Sequence, residues 1–166
     1  VKDVISGFFI IFEDQFAVGD YVQAGGVEGV VEETGLRICK IRSWTGQLHV
    51  IPNGEINKVT NFNRGHMMAV VTVGIAYEEN IDRAIAVLRE ECQAAREEIP
   101  ELLEVPVVQG ITELAQCAVN IRTVGRTVPG EQWAIQRELL RRFKNALDRE
   151  GIKIPYPRRL VVHREE

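Results

Sequence analysis

Few residues in this chain have the type and spacing to do chemistry. His49, His66 and His163 are scattered, each in or beside strand-like sequence. None has a Cys, Asp or Glu at the spacing of a metal site. Ser6 and Ser43 are the serines, and neither lies in a G-x-S-x-G elbow. Cys39, Cys92 and Cys117 are far apart and odd in number. They fit a reducing compartment and small buried hydrophobes better than disulfides or zinc. Cys117 falls in strand-like sequence with no charged activator nearby, so it reads as core rather than nucleophile. The carboxylate pairs Glu90-Glu91 and Glu97-Glu98 fall on exposed helix positions, which leaves no carboxyl with a raised pKa. GGVEG, from Gly25, has neither dinucleotide nor P-loop spacing, and no helix follows it. Neither an enzyme nor a cofactor or metal site is expected.

The elements around these residues say more. The chain has 166 residues, 45% hydrophobic and 27% charged, with net charge −4. That composition predicts a packed core and argues against a general nucleic-acid binder. Charge is uneven. Residues 78–104 carry nine acidic side chains against Arg83, Arg89 and Arg96, while residues 141–166 carry eight basic ones against four acidic. Two solvated helix faces, or pairing between subunits, would account for this.

Residues 1–21 open as a helix with a broad apolar face. Val4, Phe8, Ile11 and Gln15 share one stripe, and Ile5, Phe9, Phe12 and Phe16 the next. Lys2, Ser6, Glu13 and Asp14 leave a narrow polar strip. Such a helix needs apolar material on most sides, and it is expected to be the tail of a longer membrane segment. No run reaches the roughly 18 apolar residues that span a bilayer.

Residues 20–63 read as about five short strands with glycine turns, the pattern of a small β-barrel or half-barrel. Gly25, Gly26 and Gly29 mark tight turns and a bulge. In residues 36–44, Ile38, Lys40, Arg42 and Trp44 alternate with Cys39, Ile41 and Ser43. Thr45-Gly46 turns into residues 47–51, Asn53 is placed to cap a helical turn over 54–57, and residues 59–62 form a last strand. So thin a core calls for neighbours. Trp44 could stack on a base, but six basic against eight acidic residues in 1–64 do not favour RNA.

A second pattern follows. Strand 68–76 leads to a helix capped by Asn80, with Ile81, Ile85, Leu88, Cys92 and Ala95 on its apolar stripe. Strands 105–113 and 115–125 precede a helix from Pro129-Gly130 to about Glu150. Its predicted stripe is Trp133, Gln136, Leu140, Phe143 and Leu147, and Gly151 ends it. A final strand is expected at 160–163. The order β-α-β-β-α-β is ferredoxin-like, so the predicted fold class is β plus α/β: an N-terminal helix, a small five-stranded Sm-like β domain, then a ferredoxin-like domain.

The assembled motifs resemble one family, the small-conductance mechanosensitive ion channels of bacteria. The carriers are the apolar helix with Gly7, FAVGDYV from Phe16, GGVEGVV from Gly25, LRICKIRSW from Leu36, VIPNG from Val50, VTNFNR from Val59 and GIKIPYP from Gly151. The resemblance implies a homo-heptamer in the cell inner (plasma) membrane, with this region cytoplasmic. It would open under tension and release ions and small solutes after hypo-osmotic shock. It divides the chain into residues 1–16, the lower half of the last transmembrane helix; 17–64, the β domain; and 65–166, the α/β domain of a hollow cage.

The membrane helices and pore-lining half-helix that the family carries do not occur in these 166 residues, so this region alone is not expected to conduct. The family's closing C-terminal barrel is expected to be short or missing. Its partners would be further copies of itself, the bilayer and the permeating solutes, not nucleic acid, and it would need no cofactor. Gly7, Phe8, Phe9 and Phe12 are the expected gating and coupling residues, with Gly7 as the flexible point. A soluble Sm-like ring or binding module that shares the fold is the rival reading.

Overall fold

The computed structural model describes residues 1–157, 159 and 161–164, and for Phe12 the backbone alone. The chain divides into two units, Val1–Met67 and Met68–Glu166.

The first unit opens with helix α1 (Lys2–Phe12). Five strands follow: β1 (Tyr21–Ala24), β2 (Val27–Thr34), β3 (Ile38–Arg42), β4 (Leu48–Pro52) and β5 (Val59–Asn61). A 3-10 turn, Asn53–Glu55, lies between the last two. The sheet order is β4-β3-β2-β1-β5, with antiparallel neighbours throughout. Gly25 and Gly26 both take positive φ (59° and 79°) between the paired Ala24 and Val27. That is the two-residue hairpin geometry that glycine adopts without strain. Gly29 is not the bulge expected of it. The register irregularity lies between Val31 and Glu33. A Cβ on Gly29 would come within 2.6 Å of the Arg42 carbonyl carbon, so glycine lets β2 cross β3 closely. The core is small: Ile10, Phe16, Val22, Ala24, Val31, Cys39, Ile41 and Ile51.

The second unit runs β6 (Met67–Ile75), α2 (Ile81–Glu98), β7 (Val107–Leu114), β8 (Val119–Thr127) and α3 (Gln132–Arg149). β8 is the central strand of a three-stranded sheet. The Asn80 side chain caps α2 by accepting from the Arg83 amide at 3.1 Å. Gly151 (φ 70°) ends α3 in a paired reversal. Its amide donates to the Asp148 carbonyl, and the Ile152 amide to the Leu147 carbonyl. The core contains Leu88, Leu102, Ile121, Leu139, Phe143 and Leu147.

Several expectations shift here. The buried line of α3 is Gln132, Ile135, Leu139, Phe143, Ala146 and Leu147, while Leu140 is exposed and Trp133 half-buried. In α2 the buried line includes Ala84 rather than Ile81 or Ile85, which pack beside the core. Cys117 is exposed, not core. It sits in the turn where the Ala115 amide donates to the Ala118 carbonyl, and β8 begins only at Val119. Val161, Val162 and His163 belong to no strand, and Leu160 lies outside the described residues.

The opposed charges of α2 and α3 meet within the chain. Arg142, whose side chain is 12% exposed, bridges Glu91 (3.3 Å), Glu138 (3.1 Å) and Glu98, and Arg149 reaches Glu91 at 3.7 Å.

Candidate functional site

Helix α1 packs on the β domain through an unexpected side. Asp3, Gly7 and Ile10 recur at helical spacing on one line. Gly7 and Ile10 are buried. Most of the apolar stripe residues within the helix face away: Val4, Ile5, Phe8, Phe9 and Ile11 are exposed, Phe8 at 57%, while Phe16, beyond the helix, is buried. Phe8 and Phe9 touch edge to face, their ring centroids 5.8 Å apart. Of the predicted coupling residues, the fold therefore puts Gly7 in the packed line and Phe8 and Phe9 on the opposite side. The side chain of Phe12 lies outside the described residues.

Gly7 lies inside a continuous helix. A Cβ there would fall inside 3.0 Å of both the Leu36 carbonyl oxygen and the Asn53 side-chain nitrogen. Such a site admits only hydrogen, which is one reason for glycine in a helix interior. The floor is rigid. Asn53 is fully buried. Its Nδ2 donates to the Gly35 carbonyl at 2.9 Å, its Oδ1 accepts from the Cys39 thiol at 3.0 Å, and its amide donates to the Arg37 carbonyl at 2.8 Å. Asn53 is thus not a helix cap; Pro52 occupies that position. Burial pushes the Cys39 thiol up, against a backbone hydrogen bond from Gly35 that pulls it down, so it stays a protonated donor.

A second glycine completes the contact. The Gly54 amide donates to Asp3 Oδ1 at 2.9 Å, and a Cβ on Gly54 would meet that oxygen at 2.5 Å. Gly7 thus admits the Leu36 backbone and the Asn53 side chain, and Gly54 admits the Asp3 and Lys2 side chains.

The helix end is tied separately. Arg64 pairs with Asp14 (3.1 Å) and Asp20 (3.3 Å), and Asn61 Nδ2 donates to Asp20 (3.0 Å) and to the Gln15 carbonyl (3.2 Å). Partial burial raises the Asp20 pKa, but the Asn61, Ala17 and Arg64 contacts outweigh it and hold the carboxyl below its usual range.

Of the residues screened for chemistry, Ser43 and His49 are brought together. Ser43 Oγ donates to the Glu28 carbonyl at 3.1 Å and lies 2.9 Å from His49 Nε2. Which of Ser43 and His49 donates to the other follows the imidazole tautomer. Among the described residues, no cluster of His, Cys, Asp and Glu could hold a metal ion. No helix among them is long and apolar enough to cross a membrane.

Sequence reasoning singled out Gly7 as a flexible point and did not anticipate Asp3, Ile10, Leu36, Asn53 and Gly54 as the residues that seat α1. The signals were a glycine inside a helix and the Pro52-Asn53-Gly54 turn, which have no visible connection until the chain folds.

Known proteins are similar to this chain in sequence and in fold. The family described as "Mechanosensitive ion channel, beta-domain" matches residues 1–64, and "Mechanosensitive ion channel MscS, C-terminal" matches residues 69–154. A small-conductance mechanosensitive channel of Caldanaerobacter subterraneus subsp. tengcongensis is 46% identical over 166 residues, covering 100% of this chain and 59% of that protein. The moderate conductance mechanosensitive channel YbiO of Escherichia coli K12 is 33% identical over 165 residues, covering 93% of this chain and 21% of that protein. The chain thus spans less than two thirds of the length of these relatives. Helicobacter pylori MscS in its closed state has the same fold, with TM-score 0.85 at 22% identity over 99% of this chain and 66% of that one. This chain belongs to the small-conductance mechanosensitive ion channel family.

Proposed function

We propose that these residues are the cytoplasmic region of a tension-gated inner-membrane channel that releases ions and small solutes on hypo-osmotic shock, working as a homo-heptamer. In this reading residues 1–16 are the lower half of the last transmembrane helix, 17–64 the β domain and 65–166 the α/β cage domain. The region alone does not conduct, and no catalytic step belongs to it.

One observation carries the reading: α1 packs through Asp3, Gly7 and Ile10 and leaves Val4, Ile5, Phe8, Phe9 and Ile11 outward. A soluble domain would bury Phe8, Phe9 and Ile11 before Asp3 and Gly7. A helix held between a β domain and a bilayer boundary has reason to do the opposite. Tension favours the membrane state of larger area, and only an element with different contacts in the two states can respond. Helix α1 is that element here. Phe8, Phe9 and Phe12 are its changing apolar contacts. Gly7 is the joint in this reading, and its close fit sets how the helix sits.

The test is a chimera in which this chain replaces its counterpart in the Caldanaerobacter channel, expressed in cells lacking their own tension-gated channels. Rescue of survival after hypo-osmotic downshock is expected. No rescue and no tension-activated current, where the Caldanaerobacter channel supplies both, would contradict the reading.

A further inference from the structure

Helices α1 and α3 end in the same backbone motif with different residues at its left-handed position. In α3 that residue is Gly151, and Ile152 follows it into the core. In α1 it is Asp14, at φ 50°. The Asp14 amide donates to the Ile11 carbonyl and the Gln15 amide to the Ile10 carbonyl, each at 3.3 Å. Asp14 is unfavourable there on two counts. A residue with a Cβ fits this φ less readily than glycine, even Asp, which visits it more often than most. A carboxylate also meets the negative end of the helix dipole, and no basic residue lies in the last turn of α1 to oppose it.

The compensation comes from outside the helix. Arg64 approaches Asp14 with both terminal nitrogens, at 3.1 and 3.4 Å, and reaches Asp20 with one of them at 3.3 Å. Asp20 is itself held by the Ala17 amide and by Asn61, and Asn61 also binds the Gln15 carbonyl. Helix end, β1 approach and β5 exit thus converge on one guanidinium.

We propose that Asp14, Arg64 and Asp20 form an ion latch that fixes the C-terminal end of α1 on the β domain, with Arg64 as its positioning residue. Its meaning for gating rests on the channel reading above. The Asp14 and Arg64 side chains are 70% and 46% exposed, so dissolved ions screen the pair. The latch weakens as ionic strength rises, whereas the glycine contact at Gly7 does not.

The test is amide hydrogen exchange at Asp14 and Gln15 in the 166-residue chain, at about 20 mM and about 500 mM salt. At low salt, Arg64→Gln and Asp14→Asn are each expected to speed exchange about 1.5- to 5-fold, the range of an exposed ion pair. The double variant should be no faster than the faster single one, and high salt should bring the unmutated chain to the Arg64→Gln rate. The salt series on the unmutated chain needs no variant to fold. Exchange that is insensitive to salt, or unchanged in Arg64→Gln, would overturn the latch. If the chimera fails to open while exchange behaves as expected, the channel reading falls and the latch stands.

Discussion

Gly7 of α1 lies against Asn53 of the β domain so closely that a methyl group on Gly7 would fall inside 3.0 Å of the Asn53 side-chain nitrogen. Asn53 has no room to yield, because its Nδ2 and Oδ1 are engaged by the Gly35 carbonyl and the Cys39 thiol. Gly7→Ala therefore sets two effects against each other. Alanine improves helix propensity by about 1 kcal/mol, and overpacking against fixed atoms costs about 1–3 kcal/mol. The clash includes the Leu36 backbone carbonyl, so it should win. A net loss of up to about 2 kcal/mol is expected in denaturant unfolding of the first unit. Phe8→Ala, on the exposed side, should stay within about 0.5 kcal/mol of wild type.

Asn53→Ala removes the floor instead of raising the helix. It leaves the Gly35 carbonyl and the Cys39 thiol without their partner in a buried site. Leaving a buried polar group unsatisfied costs about 1–3 kcal/mol. A lowered denaturant midpoint is expected, together with faster labelling of Cys39 by a thiol reagent.

Thiol chemistry should separate the three cysteines. Cys117 is exposed, while Cys39 and Cys92 are buried. Burial, reinforced by the nearby Glu91 charge, pushes the Cys92 thiol up to about 12, so it stays protonated at neutral pH. Mass spectrometry of the native chain after brief maleimide treatment should show one adduct, on Cys117, and after denaturation three.

These contacts mark where sequence reading succeeded and where it stopped. The glycine hairpin at Gly25-Gly26, the inward Cys39 and Ile41, the Asn80 cap and the Gly151 stop follow from local rules, and each appears as expected. The orientation of α1 inverted a local rule. Periodicity assigns the apolar stripe to the protein core, but here Asp3, Gly7 and Ile10 turn inward. The seat for Gly7 is built from Leu36 and Asn53, residues 29 and 46 positions away in sequence, so no window along the chain contains it. The stripe of α3 slipped because Trp133 and Leu140 draw a plausible line beside the buried one through Ile135 and Leu139. Cys117 was misplaced because alternation ran on into a turn.

Acid should loosen the charged clusters in a defined window. The Arg141 hydrogen bond is the largest influence on Glu138. It outweighs the partial burial, and with help from Arg142 it holds the carboxyl below its ordinary 4.5. Burial acts against the depression at Asp20, whose hydrogen bonds hold it below its ordinary 3.8. A carboxyl depressed in the folded state stabilises fully above its unfolded pKa, and that contribution fades as pH falls through the folded value. Stability from these two groups should be flat above pH 4.5 and decline below it. In Arg142→Gln the Glu138 part of the decline should shrink, which a pH series of thermal midpoints would measure.

The most direct test of the coupling account is patch-clamp recording of the chimera carrying wild-type Gly7 or Gly7→Ala, as open probability against membrane tension and as closure under sustained tension. The account predicts that Gly7→Ala, by lifting α1 off Asn53 and Leu36, displaces the half-opening tension and changes the rate of closure. Superimposable curves for the two proteins would contradict it.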